Sequence, residues 1–316
     1  MPLQHIPLAN LTKIGLGLAR PEDVVVAADG MIWASDKNSA CAEIRPDGSL
    51  RRVGNAGGEP NGINIDGDGK IVIANFGTGC VQRLDTETGA IEVICDRVDG
   101  VALTAANYPI LDAQGNIWCA NSTFAEPWQA GLDGRADGML FRIRPDGRAE
   151  RMAEGIRFAN GLALDGDEEH IYVCETTGCD VIRYRIRMDG TLGKPERYGP
   201  QLGESLTGPI DPAAPGSREV LNRLGLTDGC GFDVEGNLWV TLVAANKVVA
   251  ITPAGAVETL IDDPEGIVMN QPTNVSWGGP DMHNLYIGSI ASDYVLEVRS
   301  PVAGMTLAHQ RHAVRS

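Results

Sequence analysis

The chain has 316 residues and a formal net charge of -16 at pH 7, with 26 Lys and Arg against 42 Asp and Glu. That balance argues against nucleic acid or an anionic membrane surface as partner, because both need a basic face. Hydrophobic residues make up 43% of the chain, enough for a sizeable core, yet no run approaches the ~20 apolar residues of a bilayer span.

The chain opens MPLQHIPLANLTKIG, which lacks the charged and apolar regions of a secretory signal and predicts a cytoplasmic location. Six similar segments follow. VVVAADGMIWAS comes just after Glu22, GINIDGDGKIVIAN after Asn61, and YPILDAQGNIWCAN after Asn107. GLALDGDEEHIYVCE comes after Asn160, GCGFDVEGNLWVTL after Asp228, and NVSWGGPDMHNLYIG opens on Asn274. The polar residue at the front lies 11 or 12 residues before a marker in a strand-like run: Trp33, Val72, Trp118, Tyr172, Trp239 or Tyr286.

Within each unit an Asp-Gly type of turn joins two alternating runs, which is a hairpin signal. A third run such as ACAEIR or GMLFRIR leads to another turn, as at Pro46-Asp47-Gly48, and a fourth, more polar run follows. Four antiparallel strands repeated six times predict an all-β, six-bladed β-propeller, one domain over residues 1–316. The polar fourth strand suits an outer edge. The last blade needs a further strand, from residues 305–312, from the N-terminus, or from both. Excess spacing places insertions at residues 122–137 and 188–227, the second read as a partial rim over a central pocket. The 7 Cys, without a Cys-x-x-Cys, read as reduced and buried, and the 5 His as surface residues.

Six equivalent positions in a closed ring aim Glu22, Asn61, Asn107, Asn160, Asp228 and Asn274 at one axis. Carboxylates and amides without His or Cys form an oxygen-donor cage, which suits a hard divalent cation. Glu22, Asn160 and Asp228 are the leading ligands, with Asn107 and Asn61 behind them. Calcium, magnesium and manganese all accept this set, and zinc is the poorest match because none of these positions is His or Cys. A cation with open positions polarises a carbonyl or phosphoryl oxygen, and Asp228 then serves as base toward water or as nucleophile. An ion that only stitches the blades together, in a ligand-binding propeller, is the alternative from another class.

The runs Arg20-Pro21-Glu22, Phe158-Ala159-Asn160-Gly161-Leu162 and Thr227-Asp228-Gly229 resemble the senescence-marker protein/gluconolactonase/luciferin-regenerating enzyme family, over residues 18–299. Members of that family are six-bladed propellers with an axial divalent cation, often calcium, and many hydrolyse lactones. The resemblance implies that Glu22, Asn160 and Asp228 hold the metal and that Asp228 is the catalytic acidic residue. It also implies that Asn107 contacts substrate or completes the metal shell. Diisopropyl-fluorophosphatase-type enzymes look similar at the same places, which keeps phosphotriester or other ester hydrolysis as an alternative. Sugar-lactonase members carry an Arg two residues before the Asn matched by Asn107 and an Asp just after it; here Ala105 and Tyr108 stand there. The expected partner is a small lactone or ester, met by Asn61, Asn107, Tyr108 and Phe124. Trp128 and Phe158 add to a pocket less polar than a sugar needs.

Overall fold

The computed structural model describes residues 3–210 and 216–311. Six four-stranded antiparallel sheets form the six blades of a β-propeller. Their innermost strands are Val24–Val26, Pro60–Ile65, Ala106–Leu111, Ala159–Leu164, Thr227–Phe232 and Pro272–Gly278, and we number the blades 1 to 6 in that order. Blades 1 to 5 each run from inside to outside in chain order.

The ring is closed by the N-terminus. Strand Thr12–Ile14 pairs antiparallel with Val295–Arg299 and becomes the outermost strand of blade 6, with Thr12 opposite Glu297 and Ile14 opposite Val295. Chain-distant strands in one sheet leave no open seam between first and last blades. Among the described residues the C-terminal segment adds no strand to that sheet. It turns under the ring, where Gln310 donates to the carbonyls of Val26 at 3.1 Å and Trp277 at 3.2 Å. His309 lies 3.0 Å from the same Val26 carbonyl and is buried, which corrects its expected place on the surface. His312 lies outside the described residues.

Core packing follows the markers. Trp33, Trp118 and Trp239 are among the largest fully buried side chains, wedged where blades meet. The turn before each of two markers explains the local sequence. Asp112 and Asp233 each accept from the indole N–H six residues on, Trp118 or Trp239, at 2.9 Å. The same carboxylates accept backbone N–H groups of their own turns. All 7 Cys are free and buried, as expected. Beyond the outer strand Glu196–Arg197 of blade 4, the described residues of the longer insertion include the helix Ser217–Leu224. Its Leu221 and Leu224 pack with Leu206, Leu226 and Val243 at the upper mouth of the ring, so the insertion does form part of a rim. Among the described residues no helix is long and apolar enough to cross a membrane.

Candidate functional site

The cage residues sit where the innermost strands break register. Ladder pairing is interrupted between Pro60 and Ile63, Ala106 and Pro109, Ala159 and Leu162, and Thr227 and Cys230. Such a bulge re-aims one side chain, here Asn61, Asn107, Asn160 and Asp228, toward the axis. Glu22 occupies the matching place just ahead of Val24–Val26. In blade 6 the break falls between Pro272 and Val275, and Ser276 pairs with Tyr286. Counting from that pair, Thr273 holds the sixth cage position, and Asn274 lies one residue further on. One residue of slip turns a side chain to the other side of a strand. Asn274 accordingly leaves the cage and donates downward to Asp23 Oδ1 at 2.5 Å and to the Tyr108 hydroxyl at 3.1 Å.

The amides are anchored by their nitrogens. Asn61 Nδ2 donates to Glu22 Oε1 at 3.0 Å and to Asn107 Oδ1 at 3.2 Å. Asn107 Nδ2 donates to Ser122 Oγ at 2.9 Å, and Asn160 Nδ2 to Thr176 Oγ1 at 3.1 Å. With the N–H groups bound to walls and neighbours, carbonyl oxygens are what the amides present to the axis. Glu22 Oε2 and Asn61 Oδ1 are buried with no hydrogen-bond partner. Orphaned oxygens in a buried site carry a desolvation cost that a bound cation would offset. The residues therefore fit a hard cation. Among the described residues no three His, Cys, Asp or Glu converge as metal ligands, so the donor set mixes two carboxylates with amides and is wrong for zinc.

The electrostatics point the same way. Burial pushes the Glu22 carboxyl well above its ordinary range, and the nearby charges of Asp228 and Asp23 raise it further. Burial also lifts Asp228 to about 7, against the pull of the Arg20 guanidinium and the Asn160 side chain. Asp23 rises to about 7 through burial, although Asn274, Ile63 and Val24 all donate to it. Buried carboxylates sharing an axis without a cation hold protons instead.

Above the cage opens a cavity of about 220 Å³, with Glu22, Asn61, Asn107, Asn160 and Asp228 as its floor. Trp128 and Phe158 line it, as the sequence led us to expect. Tyr108 instead stands beneath the cage, where its ring faces the lower channel closed by Met305, Leu307 and Gln310. Phe124 packs into the core between blades beside Val98 and Leu103, outside the cavity lining. Contributors unread in the sequence include Phe76, Arg20, Thr176 and Gln271 in the lining, and Asp23 below the cage, where Asn274 donates to it. Asp23 had a signal, its place directly after Glu22; Phe76 had none, because it follows the second strand of its blade.

Arg20, Phe158, Leu226 and Gln271 all line the cavity and all hold left-handed backbone, with φ of 52°, 60°, 57° and 47°. Each lies two residues before a cage position, counting Thr273 in blade 6. Left-handed backbone costs a non-glycine residue roughly 1–2 kcal/mol, and such strain tends to gather at functional sites.

Known proteins bear on this site. The model of the SMP-30/Gluconolactonase/LRE-like region matches residues 59–291, and that of the strictosidine synthase-like N-terminal region matches residues 7–38. A gluconolactonase of Zymomonas mobilis is 25% identical over 85% of this chain and 69% of its own length. A 6-deoxy-6-sulfogluconolactonase of Pseudomonas putida is 26% identical over 66% of this chain and 62% of its own. The chain thus spans roughly two thirds of the length of these curated relatives. Among solved structures, a gluconolactonase from Xanthomonas campestris superposes with a TM-score of 0.72 at 22% identity, covering 95% of this chain and 94% of that one. At that identity the match speaks for the fold.

Proposed function

The chain belongs to the SMP-30/gluconolactonase/LRE-like family, and from that membership together with the axial cage we propose that it is a lactonase-type hydrolase assisted by a divalent cation, calcium by its donor set. The observation that carries the reading is the buried pair Glu22 and Asp228 among amide oxygens, with Glu22 Oε2 left unpartnered at the floor of an open cavity. Lactonase relatives supply the reaction class.

Glu22, Asn160, Asp228 and Asn107 would hold the cation, and when bound it supplies Lewis acidity toward a carbonyl oxygen. The chain's own groups do the rest. Asp228 lies on the floor facing the cavity and takes the proton of the attacking water or attacks the carbonyl itself. Asn61, donating to Glu22 and Asn107, fixes both side chains in place. Arg20 sets the charge balance of both carboxylates. The tail beneath the ring closes the lower channel, so substrate and water enter from the rim. We take residues 1–316 as one domain serving this single site.

The test is proton release from a panel of lactones with calcium and after chelation. The expected result is turnover that chelation removes and that Asp228→Asn lowers by 100-fold or more, about 3 kcal/mol of transition-state stabilisation. Turnover indifferent to both chelation and Asp228→Asn would overturn the assignment.

A further inference from the structure

We propose that the substrate is a lactone with a compact apolar body, such as a fused aromatic ring or a short alkyl chain, and not a polyhydroxylated sugar lactone. The inference rests on the lactonase reading above and narrows it to a substrate class.

The walls carry it. Phe76, Trp128 and Phe158 form an aromatic cluster, with Phe76 and Trp128 edge to face at 4.7 Å between centroids and each 6.4 Å from Phe158. Ala105 lies wholly buried in the same apolar cluster. Across the cavity stand Leu132, Leu221, Val243 and Ile290. A sugar lactone brings a hydroxyl on most ring carbons, and each must find a partner once it leaves water. Above the floor, the polar side chains among the lining residues are Arg20, Thr176, Arg218 and Gln271, and the Thr176 hydroxyl already accepts from Asn160 Nδ2. Arg218 already donates to Asn222 Oδ1 and to the Ala244 carbonyl.

Conformation and size agree. Phe158 and Leu226 hold positive φ, where glycine would be free of strain, and both present apolar side chains to the cavity. The cavity of about 220 Å³ exceeds the ~150 Å³ that holds benzene in an apolar protein cavity. A ring with a small apolar extension fits that space.

The experiment compares kcat/KM for dihydrocoumarin and δ-nonalactone with that for glucono-1,5-lactone, in the full chain with calcium. We expect the apolar lactones to be preferred by at least 100-fold. Trp128→Ala should cut that preference tenfold or more, and Phe158→Gly, which suits the left-handed backbone, should cut it too. Equal or better turnover of the sugar lactone, with the ratio unmoved by Trp128→Ala, overturns this inference and leaves the lactonase assignment standing. If no lactone is hydrolysed, the lactonase reading falls and calorimetric binding of two lactams decides the rest. Binding of 3,4-dihydroquinolin-2-one in preference to gluconolactam upholds the apolar site; the reverse, or no binding of either, overturns it.

Discussion

Replacing Glu22 by Gln separates a cation site from a merely polar one. Glu22 is 3% exposed, its Oε2 has no partner, and the charges of Asp228 and Asp23 both oppose its ionisation. A Gln side chain can still accept from Asn61 Nδ2 while removing the charge. Without an ion, the variant should therefore melt above the wild type at pH 8. With calcium at 100 times its dissociation constant, the wild type gains RT ln(1 + 100), about 2.7 kcal/mol. Unfolding entropy of about 2.1 cal/mol/K per residue over 316 residues gives ~0.66 kcal/mol/K, so the gain appears as roughly 4 °C. If losing one of two carboxylate ligands weakens binding 100-fold, the same calcium gives the variant about 0.4 kcal/mol, under 1 °C. Differential scanning calorimetry in chelator and in calcium reads all four values. A variant that melts below the wild type in chelator, yet gains the same 4 °C from calcium, would refute the argument.

Other perturbations test neighbouring parts of the argument. Asp228 and Asp23 stand near 7 when folded, against about 3.9 for an unfolded Asp, so the ion-free native state binds more protons than the unfolded state between those values. Its stability should fall as pH rises from about 4 to 7, and the calcium-induced rise in Tm should be larger at pH 8 than at pH 5.5; equal rises would count against proton–cation competition. Asp233→Ala strips acceptors from Trp239 Nε1 and from the backbone of Glu235 and Asn237, and should cost about 3 kcal/mol or more in urea unfolding. Gly229→Ala would bring a Cβ within 2.5 Å of the Thr273 carbonyl, so the inner strands must part and activity should be lost before secondary structure is, by circular dichroism. Deleting residues 1–14 removes the strand on Val295–Arg299 and should lower Tm and promote association through the bared edge, seen by light scattering.

The blades were legible because their punctuation is local. An Asp in the turn fixes the Trp six residues on, and strand alternation does the rest. Marker spacing is weaker evidence, since it cannot tell an extra turn residue from a shifted strand. From Asn160 to Tyr172 the extra residue lies in the turn, and Asn160 keeps its place in the cage. Before Tyr286 the turn is longer still, which is why Asn274 looked equivalent and Thr273 is. Closure of the ring was not legible. Thr12–Ile14 has three residues, two of them polar, and its partner lies at the far end of the chain. His309 reads as a surface residue until the tail is folded under the channel, where the Val26 carbonyl meets it.

The site divides along the same line. Its floor is written by the repeat: one position in each of blades 1 to 5, aimed inward by a bulge in four of them, and so visible as a column of carboxylates and amides. Its walls come from loops that the repeat does not constrain. Phe76 follows one strand, Trp128 lies in an insertion and Phe158 precedes another strand, and only ring closure packs them together. Floor and walls can therefore change independently, which lets one propeller keep its ion while its substrate changes. Glu22→Gln should accordingly move the calcium response, and Trp128→Ala should move the ratio between lactones while leaving the calcium-induced rise in Tm in place. A Trp128→Ala protein that had lost that rise would show that wall and floor are one cooperative unit, and the separation argued here would fail.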